Sequence, residues 1–226
     1  IGDLHIGFEE AFRQAGVGLE VSAEDMLKEA LELIMKHGLK RMIVLGDVKD
    51  SLDAINALEW RIVPEFLEKV SSKIDVAVIL GNHDGNLASL LSSRVRVEKA
   101  GGILIGDTFL LHGHTKPSTE AASARRLVMG HIHPTYGRPG SALSGRQVWL
   151  ILKVKRKYMF EDERGMLEIV VLPCFNRELT KPGFSAVHGR IISPVLRRVK
   201  NNISEALIVT LDGDVIGDLD SIQYVL

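Results

Sequence analysis

Leu80-Gly81-Asn82-His83-Asp84 closes the largely apolar run from Ile74 to Leu80, and the reading of this stretch decides the fold. A short apolar run bounded by a turn signal predicts a buried strand. Gly81 ends it and delivers an amide, an imidazole and a carboxylate to one strand end, the place where α/β sheets bind ligands. Taken alone, Asn-His-Asp after a glycine reads equally well as a turn with a capping role. The neighbouring sequence decides between the two.

Working upstream, Arg41 to Leu45 predicts a second short buried strand, and it too stops at a glycine and a carboxylate, Gly46-Asp47. Before it, Met26, Leu27, Ala30, Leu31, Leu33 and Ile34 recur at helical spacing, so a helix is expected from an N-cap at Ser22 through Lys36, ended by Gly38. His37 falls in its last turn, where the helix dipole favours a cation, and reads as structural. Helical patterning resumes from Asp53 to Ile62, and Pro64 is expected to restart it as a first-turn proline running to about Val70. The chain opens with Ile1-Gly2-Asp3-Leu4-His5, as though cut from a strand end, with Asp3 and His5 alternating onto one side. A few upstream residues are therefore expected.

Downstream of residue 93 the pattern changes. Arg94 to Val97, Gly102 to Ile105, Thr108 to His112, Leu127 to Met129, Gln147 to Lys155 and Leu167 to Leu172 read as short strands with few helices between them. Gly106-Asp107 and Asp212-Gly213 are two-residue turn signals. Alternating strands and helices predict a parallel sheet in the first part; the later strands predict a second, mostly antiparallel sheet packed on it. With no repeat or linker, 1–226 reads as one domain with a motif-bearing part, 3–133, and a β-rich part, 134–226. Residues 175–204 are the least legible.

Composition bounds the rest. A chain of 226 residues, 46% hydrophobic and 25% charged with a formal net charge of -1, can bury a real core and is too balanced for disorder. No apolar run approaches a membrane span; Ile169 to Phe175 is among the longest and contains a proline. The single cysteine, Cys174, excludes an internal disulfide, fits a reducing cytoplasm and reads as a buried, inert thiol.

Six of the eight histidines fall in short clusters that follow predicted strands and that also hold Asp3, Asp47 and Asn82. His5 lies in the first, His83 in the third, His112 and His114 in His112-Gly113-His114, and His131 and His133 in Gly130-His131-Ile132-His133. Carboxylate, imidazole and amide oxygen without thiolate suit borderline divalent ions: manganese foremost, with iron, nickel, cobalt or zinc also fitting. Two carboxylates, four imidazoles and an amide are too many ligands for one ion. They fit two ions about 3.5–4 Å apart that share an anionic bridge. Asp47 is the best bridge; Asp3, His5 and His133 complete one ion's set, and Asn82, His112 and His131 the other's. Two divalent cations against Asp3 and Asp47 leave the site positive, so it should attract phosphate. A metal-bridging hydroxide would then be available at neutral pH. His83 is expected to protonate the leaving oxygen or stabilise its charge, with Asp84 orienting the ring. His114 would contact phosphate or support His112.

Asp3-x-His5, Gly46-Asp47, Gly81-Asn82-His83-Asp84, His112-Gly113-His114 and Gly130-His131-x-His133, in this order, resemble the signature of the calcineurin-like metallophosphoesterase superfamily. The resemblance implies a four-layer αββα sandwich of two mixed β-sheets flanked by helices, with a dinuclear site at its strand ends. It assigns the ligands as the residues do. Longer matches at Asp3-Leu-His-Ile-Gly-Phe-Glu-Glu, Gly46-Asp-Val-Lys, Gly130-His-x-His-Pro134, Leu172-Pro-x-Phe175-Asn176 and Ile192-Ser-Pro194 resemble an archaeal and bacterial branch of phosphoesterases. Asp50 departs from the pattern. Purple acid phosphatases carry a tyrosine there, so no ferric tyrosinate site is expected, and the narrower branch commonly has a histidine.

The resemblance implies a dimetal hydrolase of phosphomonoesters or phosphodiesters, with a phosphate ester as partner; the lack of a long apolar run leads us to expect no membrane partner. Two alternatives stand beside it. A metal-dependent nuclease acting on DNA or RNA would use the basic clusters Arg125-Arg126, Lys153 to Lys157 and Arg197-Arg198-Lys200, but the lysines alternate along a strand as a solvated face would, and the net charge is not basic. A non-catalytic metal-binding scaffold, like the superfamily's retromer subunit, would lack the histidine that His83 provides. His188, between Val187 and Gly189, reads by default as a surface-loop residue that could also reach the substrate. Oligomeric state is open.

Overall fold

The structure, a computed structural model, describes every residue except 15, 17, 19–21, 162–163 and 181–192. His188 and Ile192 lie outside the described residues. A first sheet holds β1 (Arg41–Leu45), β2 (Asp75–Ile79) and β3 (Val95–Glu98) in that order, all parallel. The segment expected as the first strand of the second sheet is therefore the edge strand of this one, with Val95 opposite Val76. Only a 3-10 turn, Leu87–Leu90, separates it from β2, and Val97 is left exposed at the edge.

Two long helices flank this sheet. The helix α2 (Ala23–His37), which follows α1 (Glu9–Gln14), buries Met26, Ala30 and Ile34 and ends where Gly38 turns left-handed and its N–H reaches Ile34 O. Ser22 precedes it but does not cap it; the hydroxyl donates to Glu9 Oε1 at 2.8 Å instead. The next helix, α3 (Ala57–Ser71), starts at a capping box between Asn56 and Glu59 and runs unbroken through Pro64. The expected restart does not occur. A mid-helix proline costs one main-chain hydrogen bond and roughly 3 kcal/mol. Val63, Phe66, Leu67 and Val70 offset this by burying a continuous stripe, each side chain contributing roughly 1.5–3 kcal/mol.

The second sheet has seven strands. They are β4 (Ile103–Ile105), β5 (Thr108–Leu111), β6 (Arg126–Met129), β7 (Val148–Lys155), β8 (Met166–Val171), β9 (Ile203–Thr210) and β10 (Val215–Gly217), in the order β10-β9-β7-β8-β6-β5-β4. Pairs β5/β6 and β6/β8 are parallel and the rest antiparallel, so this sheet is mixed whereas the described strands of the first are parallel throughout. Gly106-Asp107 makes the β4/β5 hairpin, and Asp212-Gly213 lies in the turn between β9 and β10.

Strand alternation builds the layers. Met42, Val44, Val76 and Val78 face α2 and α3, while Ile43, Leu45 and Ile79 face the second sheet and meet Ile103, Leu110, Val128, Val170 and Leu172. On the far side Phe109, Leu127, Met129, Leu150 and Ile169 join Val195, Leu196 and Val199 of α4 (Pro194–Val199). The result is the helix–sheet–sheet–helix stack that the motifs imply.

This stacking places every motif at one edge. Gly46-Asp47 follows β1, Gly81-Asn82 follows β2, His112 follows β5 and Gly130-His131 follows β6. The first motif is threaded between the sheets. Asp3 N donates to Gly46 O, Leu4 N and His5 N to Asp47 O, while Phe175 N and Asn176 N donate to Gly2 O and Asp3 O from the other side.

Candidate metal centre

Five of the seven candidate ligands hold their backbone in the left-handed region: Asp3 (φ 57°), His5 (43°), Asp47 (51°), His131 (72°) and His133 (47°). Among the described non-glycine residues only Asn86 joins them. Asp, Asn and His tolerate that region best among side-chain-bearing residues, and such strain concentrates at functional sites. The alternation expected of Asp3 and His5 along a strand is absent. Their left-handed turns bring both side chains toward the same point instead.

Close packing of the motif glycines completes the cradle. A Cβ on Gly130 would sit 2.5 Å from Asp3 Oδ2, and one on Gly81 would overlap Asp47 Oδ1. Both positions require a bare α-carbon. The neighbouring N–H groups are used as well: His131 N donates to Asp3 Oδ2 at 3.0 Å, and His83 N to Asp47 Oδ1 at 2.9 Å.

The donor atoms of the candidate ligands converge in overlapping sets. Asp3, His5 and His133 form one group; Asp47, His112 and His131 form a second. Asn82 Oδ1 stands 3.2 Å from His112 Nε2, which places it in the second group. Asp47 Oδ2 lies 3.5 Å from His5 Nε2 and 3.2 Å from His112 Nε2, so one oxygen stands between the groups. A third set, His5, Asp47 and His83, puts the His83 ring beside the same oxygens and nitrogens.

The donor chemistry of the second group calls for a cation. His112 Nδ1 donates to the carbonyl of Leu45 at 2.6 Å, so Nε2 carries the ring's remaining lone pair. That lone pair faces Asp47 Oδ2, Asn82 Oδ1 and, at 3.1 Å, His131 Nδ1. Four converging lone pairs repel one another unless a proton or a metal ion lies among them. Ligands about 2.0–2.2 Å from a common ion would be spaced about as these atoms are. The residues therefore fit a divalent ion.

Electrostatics tell the same story. Burial disfavours the His112 imidazolium, yet the hydrogen bond and charge of Asp47 override it and push the pKa up to about 9. Burial and the neighbouring His112 lower His131 to about 3. Burial likewise opposes ionisation of Asp47, but His112 and then His5 hold the carboxyl far below its usual range. Without an ion, these shifts favour a proton on His112 Nε2, facing Asp47.

The roles expected of the remaining motif residues divide. His83 stands with its ring centroid 4.7 Å from that of His5. The Asp84 carboxylate is not hydrogen-bonded to that ring. Its oxygens accept the N–H groups of Asp47, Val48 and Gly81, each at 2.8 Å, so it ties two motif backbones together. The partner of His83 is the backbone carbonyl of Asp50, which accepts from Nδ1. The Asp50 carboxylate turns to His5 Nδ1 at 3.0 Å. His114 lies 5.1 Å from His112 between ring centroids, and burial followed by the His112 charge lowers its pKa to about 4, leaving a neutral ring. Cys174 is buried, and burial pushes its thiol up.

Asn176 carries a structural role not assigned from the sequence. Fully buried, it donates from Nδ2 to Leu4 O at 2.9 Å, between the candidate ligands Asp3 and His5. The Leu172-Pro-x-Phe175-Asn176 stretch was the available signal. The basic clusters sit elsewhere. Arg126, Glu168, Lys153 and Glu205 are register neighbours across four strands, paired through Arg126–Glu168 and Lys153–Glu205, at the strand ends away from the motifs. Lys157 lies past β7 in a 3-10 turn, its ammonium 5.2 Å from the Tyr158 ring centroid.

Known proteins bear on this geometry. The family model described as calcineurin-like phosphoesterase matches residues 1–158. The crystal structure of Pseudomonas putida nuclease MPE is similar over 78% of this chain and 73% of that one, with a TM-score of 0.52 and 21% identity. Yfce, a phosphoesterase from E. coli, aligns over 97% of this chain and 96% of its own with a TM-score of 0.43 and 18% identity. No curated protein matches the chain. The family match spans all five motifs and both donor groups, and the chain belongs to the calcineurin-like phosphoesterase family.

Proposed function

We propose that this protein hydrolyses phosphate monoesters or diesters with two divalent ions, manganese foremost, held by Asp3, His5 and His133 on one side and Asn82, His112 and His131 on the other, with Asp47 between them. One observation carries the reading: Asp47 Oδ2 stands within 3.5 Å of a ring nitrogen from each donor group. Two ions bound there would screen a phosphoryl oxygen and lower the pKa of a coordinated water from 15.7 toward about 7.

The chain's own groups would do the rest. His83 is fixed by its backbone N–H on Asp47 and its Nδ1–H on the Asp50 carbonyl, so its Nε2 is the nitrogen left to face the leaving oxygen, to which the imidazolium form would give the Nε2 proton and return to the neutral Nδ1–H ring. His114, a neutral ring beside His112, can donate one hydrogen bond to a phosphoryl oxygen. The buried thiol of Cys174 fits a cytoplasmic setting. Among the described residues no helix is long and apolar enough to cross a membrane.

A nitrophenyl monoester and a bis-nitrophenyl diester, offered to manganese-loaded protein, test the reading. Turnover of at least one, abolished by chelation and restored by the ion, is the expected result. Two bound ions without turnover of either would leave the scaffold reading in place. Nuclease action is the weaker alternative, because Arg126 and Lys153 of the basic clusters are already paired with carboxylates across strands. Affinity for DNA that falls steeply with salt would reverse that order.

A further inference from the structure

A buried carboxylate that takes no direct part in either donor group governs the loop beside them. Glu59 is fully buried at the start of α3. Its Oε1 accepts from Asp50 N at 3.0 Å and Ser51 N at 2.7 Å, and its Oε2 accepts from Asn56 N at 2.8 Å and from the Ser51 hydroxyl. Lys49, also fully buried, donates to the Ser51 carbonyl. The first motif is tied to the same loop: Asp50 N donates to Ile6 O at 3.2 Å, and a Cβ on Gly7 would come within 2.7 Å of Glu59 Cγ, whereas Asn56 Nδ2 stands a long 3.5 Å from Gly7 O and adds little to the tie.

What this loop presents is Asp50, and Asp50 faces two rings with two different groups. Its carboxylate accepts from His5 Nδ1, which leaves the His5 Nε2 lone pair toward Asp47. Its carbonyl accepts from His83 Nδ1, and because a carbonyl can only accept, that nitrogen must carry the proton. We propose that Glu59 is a positioning residue of the metal centre: by holding residues 50–56 it sets the tautomer of the ligand His5 and of His83 together. The proposal rests on the dimetal reading for His5, while the His83 part stands without any ion.

The capping box gives Glu59 a second, purely structural role, so the experiment must separate the two. Metal-free wild type, Glu59→Gln and Asn56→Ala are titrated calorimetrically with manganous chloride, and their imidazole nitrogens are followed by ¹⁵N NMR. Asn56→Ala removes the cap acceptor and should lower Tm while leaving both affinities within about twofold. Glu59→Gln keeps the shape but replaces one acceptor oxygen by a donor. It should weaken one of the two ions by about tenfold, the usual loss for a residue that orients a ligand. In the metal-free variant the His83 Nδ1–H tautomer should give way to a mixture. Should Glu59→Gln fail to fold, Asp50→Asn takes its place, with the His5-side ion weakened and the His83 tautomer kept. Wild-type affinities together with an unchanged His83 tautomer in Glu59→Gln, or in Asp50→Asn wild-type affinities, would overturn the proposal. Wild-type protein that takes up fewer than two ions would instead remove the dimetal reading, and the tautomer result would still decide the role of Glu59 toward His83.

Discussion

The Asp84 carboxylate accepts the backbone N–H of Asp47 at 2.8 Å, across a sequence separation of 37 residues. With Val48 N and Gly81 N on the same carboxylate, Asp84 holds the bridge-bearing turn against the Gly81-Asn82 turn. Its own pKa is raised by burial and by the Asp47 charge. Asp84→Ala would leave two buried N–H groups and the half-buried one of Gly81 without this acceptor, at a cost of roughly 3 kcal/mol. We expect a lower Tm and weakened binding of both ions, measured by scanning calorimetry and elemental analysis. Full metal content with only the rate reduced would return Asp84 to a role beside the leaving group.

His83 and Asp47 should separate cleanly. His83→Ala removes a ring that is hydrogen-bonded to the Asp50 carbonyl and keeps the backbone N–H on Asp47, so both ions should remain while the rate falls by roughly 10²–10⁴. Asp47→Ala removes the oxygen between the donor groups and should lose metal. Elemental analysis of the purified variants reads both; an Asp47 variant with full metal content would contradict the bridge.

The proton between Asp47 and His112 gives metal binding a defined pH dependence. His112 is raised from 6.5 to about 9 in the fold. Below pH 6.5 folded and unfolded chains are both protonated there, so this contribution to metal-free stability is fully present; it is lost as pH rises through about 9. A metal ion must displace the same proton, whereas His131, lowered to about 3, is already neutral. Metal affinity should therefore rise between pH 6.5 and 9, with about one proton or more released per protein near pH 7.5. Calorimetry in buffers of different ionisation enthalpy counts the protons. Affinity independent of pH across that window would rule the arrangement out.

The site was readable from the sequence because its residue types are costly anywhere else: three polar chemistries behind a buried strand, repeated at successive strand ends. Counting ligands against charge suggests two ions that share an anionic bridge, and the fold brings the donor atoms of Asp3, His5 and His133 together, and those of Asp47, His112 and His131. What was not readable depends on backbone conformation or on distant contacts. Nothing local announces that Asp3 and His5 are left-handed, and a strand-like alternation was the natural expectation. Asp84 sits next to His83 in sequence, yet its carboxylate is drawn to three N–H groups of strand-end turns. The role of Asn176 depends on Leu4 O, 172 residues away, and β3 joined the first sheet because parallel pairing with β2 leaves no local mark. Pro64 misled for a related reason: a local helix breaker was outweighed by a buried stripe that only tertiary packing creates.

Gly81 gives the sharpest test of how tightly the cradle is built. Its α-carbon faces Asp47 so closely that a Cβ would overlap both Asp47 Oδ1 and Asp47 N. Neither the backbone nor the carboxylate of Asp47 can yield freely, because Asp47 N is held by Asp84 and Asp47 Oδ1 by His83 N. Gly81→Ala should therefore push Asp47 off the midpoint between His5 and His112, and overpacking of this kind costs typically about 1–3 kcal/mol. Metal affinity should fall by tenfold or more while Tm drops only moderately, since the β2 core ahead of it is untouched. Gly38→Ala provides the contrast: its φ of 59° strains a side chain, but a Cβ meets nothing within 4 Å and no ligand is near. It should lower Tm and leave metal affinity unchanged. Equal metal affinities in the two variants, by calorimetric titration, would mean that the Gly81–Asp47 contact does not set the position of the bridge.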